Sequence, residues 1–135
     1  MKKDRRVSII AVKHPTCDNL YLHGKRRDNK KWTLPGGGGE NDETPLETAV
    51  RELFEETGLD VKDLDFCCTK INKKKGNKLI ITLFSCDSPE DLNLTDSHDP
   101  DSEMTEYMFL DPRKVEEPHI PHKDNILLGY LDETE

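Results

Sequence analysis

The apolar residues of this chain fall into short blocks with two different periodicities. Val7-Ser8-Ile9-Ile10-Ala11-Val12 is an almost unbroken apolar run rich in β-branched side chains, which predicts a buried strand. After the turn residues Pro15 to Asn19, Leu20-Tyr21-Leu22 predicts a second, shorter strand. Trp32-Thr33-Leu34 leads into Pro35 and then Gly36 to Gly39, where no side chain fills space and the backbone itself must serve. Phe66 to Ile71 and Leu79 to Cys86 predict two strands joined around the lysine-rich turn Lys73-Lys74-Lys75-Gly76-Asn77. The polar stretch Asp87 to Ser102, with Pro89 and Pro100, predicts an exposed loop. Glu106 to Leu110 predicts a last strand, and Lys123 to Leu131 a short C-terminal helix.

One segment changes period. Thr44-Pro45-Leu46-Glu47 offers an N-cap hydroxyl, a proline at the first helical position and a glutamate placed to complete a capping box. Leu46, Ala49, Val50, Leu53 and Phe54 follow at i, i+3, i+4, i+7 and i+8, one apolar stripe for a sheet to cover, and Gly58 supplies the stop. Interspersed strands and helices predict an α/β fold with a mixed sheet and helices packed on it. With no repeat and no long linker, residues 1–135 are expected to form a single domain.

Composition narrows this further. Only 33% of the 135 residues are hydrophobic and 36% are charged, so the core must be lean. No apolar run approaches the roughly 18 to 20 residues of a membrane span, and no secretory h-region follows the start, so a soluble cytoplasmic protein is expected. Cys17, Cys67, Cys68 and Cys86 fit no C-x-x-C spacing and read as reduced thiols; His119-x-x-His122, flanked by Pro118 and Pro121, lacks a cysteine pair to complete a zinc finger. The net charge of -8 is unevenly spread: residues 1–35 carry ten basic and three acidic side chains, and residues 36–65 two basic and ten acidic. A basic third feeding a dense acidic segment suits a site that handles cations and anions together.

Part of that acidity lies on one face of the helix. Glu52, Glu55 and Glu56 fall within about 100° of arc, and the i, i+4 pair Glu52 and Glu56 repels by roughly 0.2–0.5 kcal/mol in an exposed helix. A segment that caps itself well and then gathers like charges is locally inconsistent in the way functional sites are. Hard divalent cations resolve the conflict, since carboxylate oxygens suit Mg²⁺ or Mn²⁺.

Position by position, the segment reads Gly37-x5-Glu43-x7-Arg51-Glu52-Leu53-x-Glu55-Glu56-x-Gly58-Leu59. It resembles the Nudix box, G-x5-E-x7-R-E-U-x-E-E-x-G-U, at every position. Chance would produce it with a probability on the order of 10⁻⁹ per starting point at average residue usage. The chain is therefore similar to small, single-domain, MutT-like members of the Nudix hydrolase family. The resemblance implies an α/β/α sandwich with a mixed β-sheet and the box helix at the active site. It also implies Mg²⁺- or Mn²⁺-dependent hydrolysis of the diphosphate linkage in a nucleoside diphosphate derivative, releasing a nucleoside monophosphate. Glu52, Glu55 and Glu56, with the Gly36 carbonyl, are then the expected metal ligands, Glu52 is a candidate base, and Glu43 and Arg51 form a supporting ion pair, Arg51 also counted with the catalytic set.

A further carboxylate is expected from the acidic stretch before the last strand, Glu103 first and Glu106 second. Arg26 or Arg27 is expected to reach substrate phosphates. Nucleoside triphosphates or a broad range of related nucleotides are the favoured substrates, with ADP-ribose, dinucleoside polyphosphates and RNA 5′ ends as alternatives; a binding module without turnover is less favoured because no box carboxylate is missing. Both a monomer and a homodimer fit the pattern.

Overall fold

A computed structural model describes residues 4–92 and 103–134. Seven strands form one mixed sheet: β1 (Arg5–Lys13), β2 (Tyr21–Arg26), β3 (Trp32–Thr33), β4 (Gly36–Gly38), β5 (Asp65–Lys74), β6 (Asn77–Asp87) and β7 (Met104–Leu110). The order is β3-β2-β1-β6-β5, with β4 also paired to β1 and β7 to β2. The apolar β1 run lies at the centre, parallel to β6 from Arg5↔Leu79 to Lys13↔Asp87, while every other pairing is antiparallel.

Two helices cover the two faces. α1 (Pro45–Thr57) packs on β1 and β4, burying Ile10, Val12, Leu22, Ala49, Leu53 and Phe84 together. α2 (Ile126–Thr134) packs on the other face, where Ala11, Leu34 and Leu83 meet Ile126 and Leu127. The alternation of β1 and β6 side chains therefore feeds two cores, which is why a continuous apolar run was needed there. The result is the expected α/β/α layering on a mixed sheet.

Element bounds differ from the sequence expectation where pairing, not local pattern, extends them. β2 runs on to Arg26 because β7 pairs with it throughout, and β7 begins at Met104 for the same reason. The β5–β6 connection is a two-residue turn at Lys75-Gly76, both at positive φ, so Lys73 is a strand residue opposite Lys78. The C-terminal segment divides into a 3₁₀ turn, His122–Asp124, and α2. Of the loop expected over 87–102, Asp87 belongs to β6 and residues 93–102 lie outside the described ones. All four cysteines are free thiols, and no helix among the described residues is long and apolar enough to cross a membrane.

Candidate active site

The capping box of α1 is complete: Thr44 Oγ1 accepts from the Glu47 N–H at 3.1 Å, and Glu47 Oε1 accepts from the Thr44 N–H at 2.9 Å. Gly58, at φ 81°, closes the other end through its N–H to the Phe54 carbonyl. Helix start and stop are thus set locally, but the buried stripe is rotated from the one expected. Ala49 and Leu53 are buried, whereas Leu46 and Phe54 are 37% and 40% exposed. Glu56 instead is only 4% exposed. The helix rolls toward β4 because a strand of glycines leaves room for side chains to lie on its backbone.

That contact organises the carboxylates. Glu56 Oε2 accepts a hydrogen bond from the Gly36 N–H at 2.9 Å. Gly36 has φ 153°, and a Cβ there would overlap the Ser8 carbonyl oxygen. A Cβ on Gly37 would stand 2.5–2.7 Å from the Glu52 carboxylate, so Gly37 is the cradle in which that group rests. The three glutamates therefore do not share one open surface patch: Glu56 is enclosed, Glu52 half-buried and Glu55 more open.

Arg51 ties the group together. Its Nε donates to Glu43 Oε2 at 2.8 Å and its Nη2 to Glu43 Oε1 at 3.1 Å, a bidentate pair. Nη1 reaches Glu52 Oε1 at 3.0 Å and Glu55 Oε2 at 3.2 Å, and Nη2 also donates to the Gly38 carbonyl at 3.0 Å. Glu43 is braced further by Thr48 Oγ1 at 3.1 Å and by the Glu40 N–H at 2.8 Å. Glu40 and Thr48 were not anticipated from the sequence; neither residue type is distinctive, and only the turn 40–44 brings them in.

The electrostatics follow from this arrangement. The Arg51 guanidinium, the Glu40 N–H and the Thr48 hydroxyl hold the Glu43 carboxyl down at about 2. Burial pushes Glu52 upward, Arg51 opposes the shift, and the charges of Glu55 and Glu103 add to it. Burial thus outweighs Arg51, so a further cation beside Glu52 would favour its ionised form. Among the described residues, no three His, Cys, Asp or Glu side chains stand close enough together to hold an ion as they are, because Arg51 occupies the space between the box carboxylates. This holds for His119 and His122 as well.

The two candidates for an outside carboxylate separate clearly. The Glu103 carbonyl accepts from the Arg27 N–H at 2.8 Å, which brings the start of β7 to the end of β2, and its carboxylate lies within electrostatic reach of Glu52 and Arg26. Glu106 lies opposite Lys25 in the β2–β7 ladder, 3.9 Å from its Nζ. Arg26 is near Glu56 and Glu103, but its guanidinium is engaged bidentately by Asp28 at 2.9 and 2.7 Å. Asp28, two residues along a turn, was not anticipated as its partner.

Across β4 from the carboxylates, on the α2 face, the sheet opens into a cavity of about 350 Å³. Its walls include Val7, Ile9, His23, Trp32, Ile81 and Asn125, so it draws on five separate segments. The segment 112–126 is strapped over it: Trp32 bridges Pro118, the His119 N–H donates to the Trp32 carbonyl at 2.9 Å, and Asn29 Nδ2 meets His119 Nδ1 at 3.0 Å. Lys25 Nζ lies 5.8 Å from the Trp32 ring centre. Leu34 is two residues before Gly36, so cavity and carboxylates are joined by the shortest possible stretch of chain.

Comparison with known proteins gives a consistent picture. A profile of the NUDIX domain matches residues 2–129. The chain is 34% identical over 100 residues to a MutT-like protein of Streptomyces ambofaciens, covering 74% of this chain and 60% of that one. It is 43% identical over 56 residues to an RNA pyrophosphohydrolase of Francisella tularensis, covering 42% and 36% respectively. It therefore spans less than two thirds of the length of these relatives. Among solved structures, the MutT protein of Methanosarcina mazei superposes with a TM-score of 0.75 at 22% identity, covering 99% of this chain and 97% of that one. The NUDIX domain of Shewanella oneidensis NrtR, complexed with ADP ribose, superposes with a TM-score of 0.72 at 15% identity, covering 99% and 90%.

Proposed function

This chain belongs to the Nudix family, and from that premise we propose that it is a Mg²⁺- or Mn²⁺-dependent pyrophosphohydrolase that cleaves nucleoside triphosphates to a nucleoside monophosphate and pyrophosphate. The observation that carries this reading is the placement of Glu52, Glu55 and Glu56 beside the Gly36–Gly38 backbone, with Gly37 bare where the Glu52 carboxylate rests. The donor set fits the metal: three carboxylates and the Gly36 carbonyl are hard oxygen ligands, and burial leaves Glu52 in need of positive charge. When bound, the metal supplies charge neutralisation on the phosphate oxygens and a more acidic water.

The chain's own groups do the positioning. Glu56 is held by the Gly36 N–H, and Arg51, anchored on Glu43, keeps Glu52 and Glu55 in register; these three carboxylates would hold the cation. Glu52 is the base we assign, because burial pushes its carboxyl up, whereas Arg51 holds that of Glu43 down. Glu103 adds a carboxylate from just before β7, and Arg26 and Arg27 border the phosphate path. The cavity behind β4 receives the nucleoside, its volume being at the lower end of the roughly 300–1,000 Å³ of small-molecule sites, with Trp32 as an aromatic wall.

A panel of nucleoside triphosphates, ADP-ribose, dinucleoside polyphosphates and a 5′-triphosphorylated oligonucleotide, incubated with Mg²⁺ or Mn²⁺ and resolved by product, tests this. Monophosphate and pyrophosphate from a triphosphate are expected, and Glu55→Gln or Glu56→Gln should lower kcat by about 10²- to 10³-fold while the protein stays folded. Full activity in both variants would remove these residues from the site. One observation favours an RNA 5′ end as a second reading. Lys70, Lys73, Lys75 and Lys78 lie on the β5–β6 hairpin, and among the described residues none has a carboxylate within 4 Å. A preference for the oligonucleotide over mononucleotides would establish it.

A further inference from the structure

β2 alternates between the two cores: Leu22 faces α1, while Tyr21 and His23 face α2. A residue at such a position is ordinarily apolar, yet this one is an imidazole, 3% exposed, bordering the cavity. Its Nδ1 lies 2.7 Å from the Tyr21 carbonyl oxygen. A carbonyl can only accept, so Nδ1 carries the proton. Burial holds the ring below the usual histidine range, which leaves it neutral near pH 7. Nε2 is then a bare lone pair, and among the described residues it meets no donor.

An acceptor without a protein donor at the wall of a cavity is free to take one from a ligand. The neighbouring polar group is its complement. Asn125 Oδ1 accepts from the Leu127 and Leu128 N–H groups at 2.9 and 3.2 Å, capping α2, so its amide can offer only N–H to the cavity. One wall thus accepts and another donates, around a space lined mainly by apolar side chains with Arg5, His119 and Asp124 also at its wall. A nucleobase has both kinds of edge and an apolar face to match.

Resting on the assignment of the cavity to the nucleoside, we propose that His23 Nε2 is a specificity-determining acceptor that selects bases carrying an exocyclic amino group. In adenine and cytosine that group lies on the edge of the base away from the sugar, where it can reach the cavity wall, whereas guanine and uracil present a carbonyl there. The bases that present a carbonyl or a hydrogen at that point leave Nε2 unsatisfied.

Two matched pairs test the proposal: ATP against purine riboside triphosphate, and CTP against UTP. Wild type should favour the amino member of at least one pair by about five- to fiftyfold in kcat/KM, and His23→Leu should bring that ratio to about one. His23→Gln, which places an amide oxygen near the position of Nε2, should restore part of the preference. Melting temperature checks that both variants fold. A second readout does not need turnover: Trp32 is the single tryptophan and lines the same cavity, so its fluorescence reports nucleotide binding. No preference in any pair by either readout, or a preference unchanged in His23→Leu, overturns the proposal. Amino-selective binding with no hydrolysis would overturn the hydrolase reading and leave this one standing.

Discussion

The two faces of the central sheet solve opposite electrostatic problems. On the α1 face, four carboxylates crowd one guanidinium, with Arg51 touching Glu43, Glu52 and Glu55 and lying 3.8 Å from Glu40. On the α2 face, a cavity of similar position along β1 and β4 is lined mainly by apolar side chains, and its buried histidine is kept neutral. The first face suits charge that must be neutralised by a cation, the second a flat, weakly polar group. On the proposed reading, a substrate with a phosphate end and a base end uses both. Catalysis and selectivity would then lie on opposite faces of the sheet, and so should be separable by mutation.

The largest expected effect tests that separation. Gly37→Ala should cost about 10²-fold in kcat, because the new Cβ displaces the Glu52 carboxylate by a distance on the scale of 1 Å. Trp32→Ala should raise KM about tenfold and leave kcat within about twofold. Steady-state kinetics of both variants decide the matter; equal loss of kcat in each would merge the two faces into one site.

Stability gives the next contrast, within a single helix. Leu53→Ala, at a fully buried position, should cost about 2–5 kcal/mol by urea unfolding. Phe54→Ala, 40% exposed, should cost less than about 1 kcal/mol. Similar losses would mean that the apolar stripe, and not the approach to β4, sets the rotation of α1.

The smallest effect is linked to pH. The Glu43 carboxyl is lowered from 4.5 to about 2 by Arg51 in the folded protein, so the folded state binds fewer protons there than the unfolded chain. The pair's contribution is complete above pH 4.5 and is lost as pH falls toward 2. Unfolding midpoints of wild type and Arg51→Met should therefore differ by a constant amount above about pH 5 and converge below 4.5. A gap that widened on acidification would contradict the pairing.

The site was legible to unequal depths. α1 could be read residue by residue because its caps act within four positions, and the spacing of Glu43, Arg51, Glu52, Glu55 and Glu56 is a local property of one turn and one helix. The burial of Glu56 was not legible, because it depends on how closely α1 approaches the glycine strand. The roles of Glu103 and Glu106 could not be separated in sequence either. They stand three residues apart, and only the β2–β7 register sends one toward Glu52 and pairs the other with Lys25. His23 was missed altogether. Its one signal was a histidine at the inward position after Tyr21 in an apolar strand, and the strand's full extent appears only once β7 is in place.

By itself the sequence determined the helix, its caps, the set of carboxylates and the central apolar strand, since these follow from interactions over a few residues. Tertiary structure alone decided which carboxylate is enclosed, which later glutamate joins them, and that a cavity exists behind β4. The physical reason is range: caps and periodicity act within one element, whereas burial, charge coupling and cavities depend on how separate elements stack on the sheet.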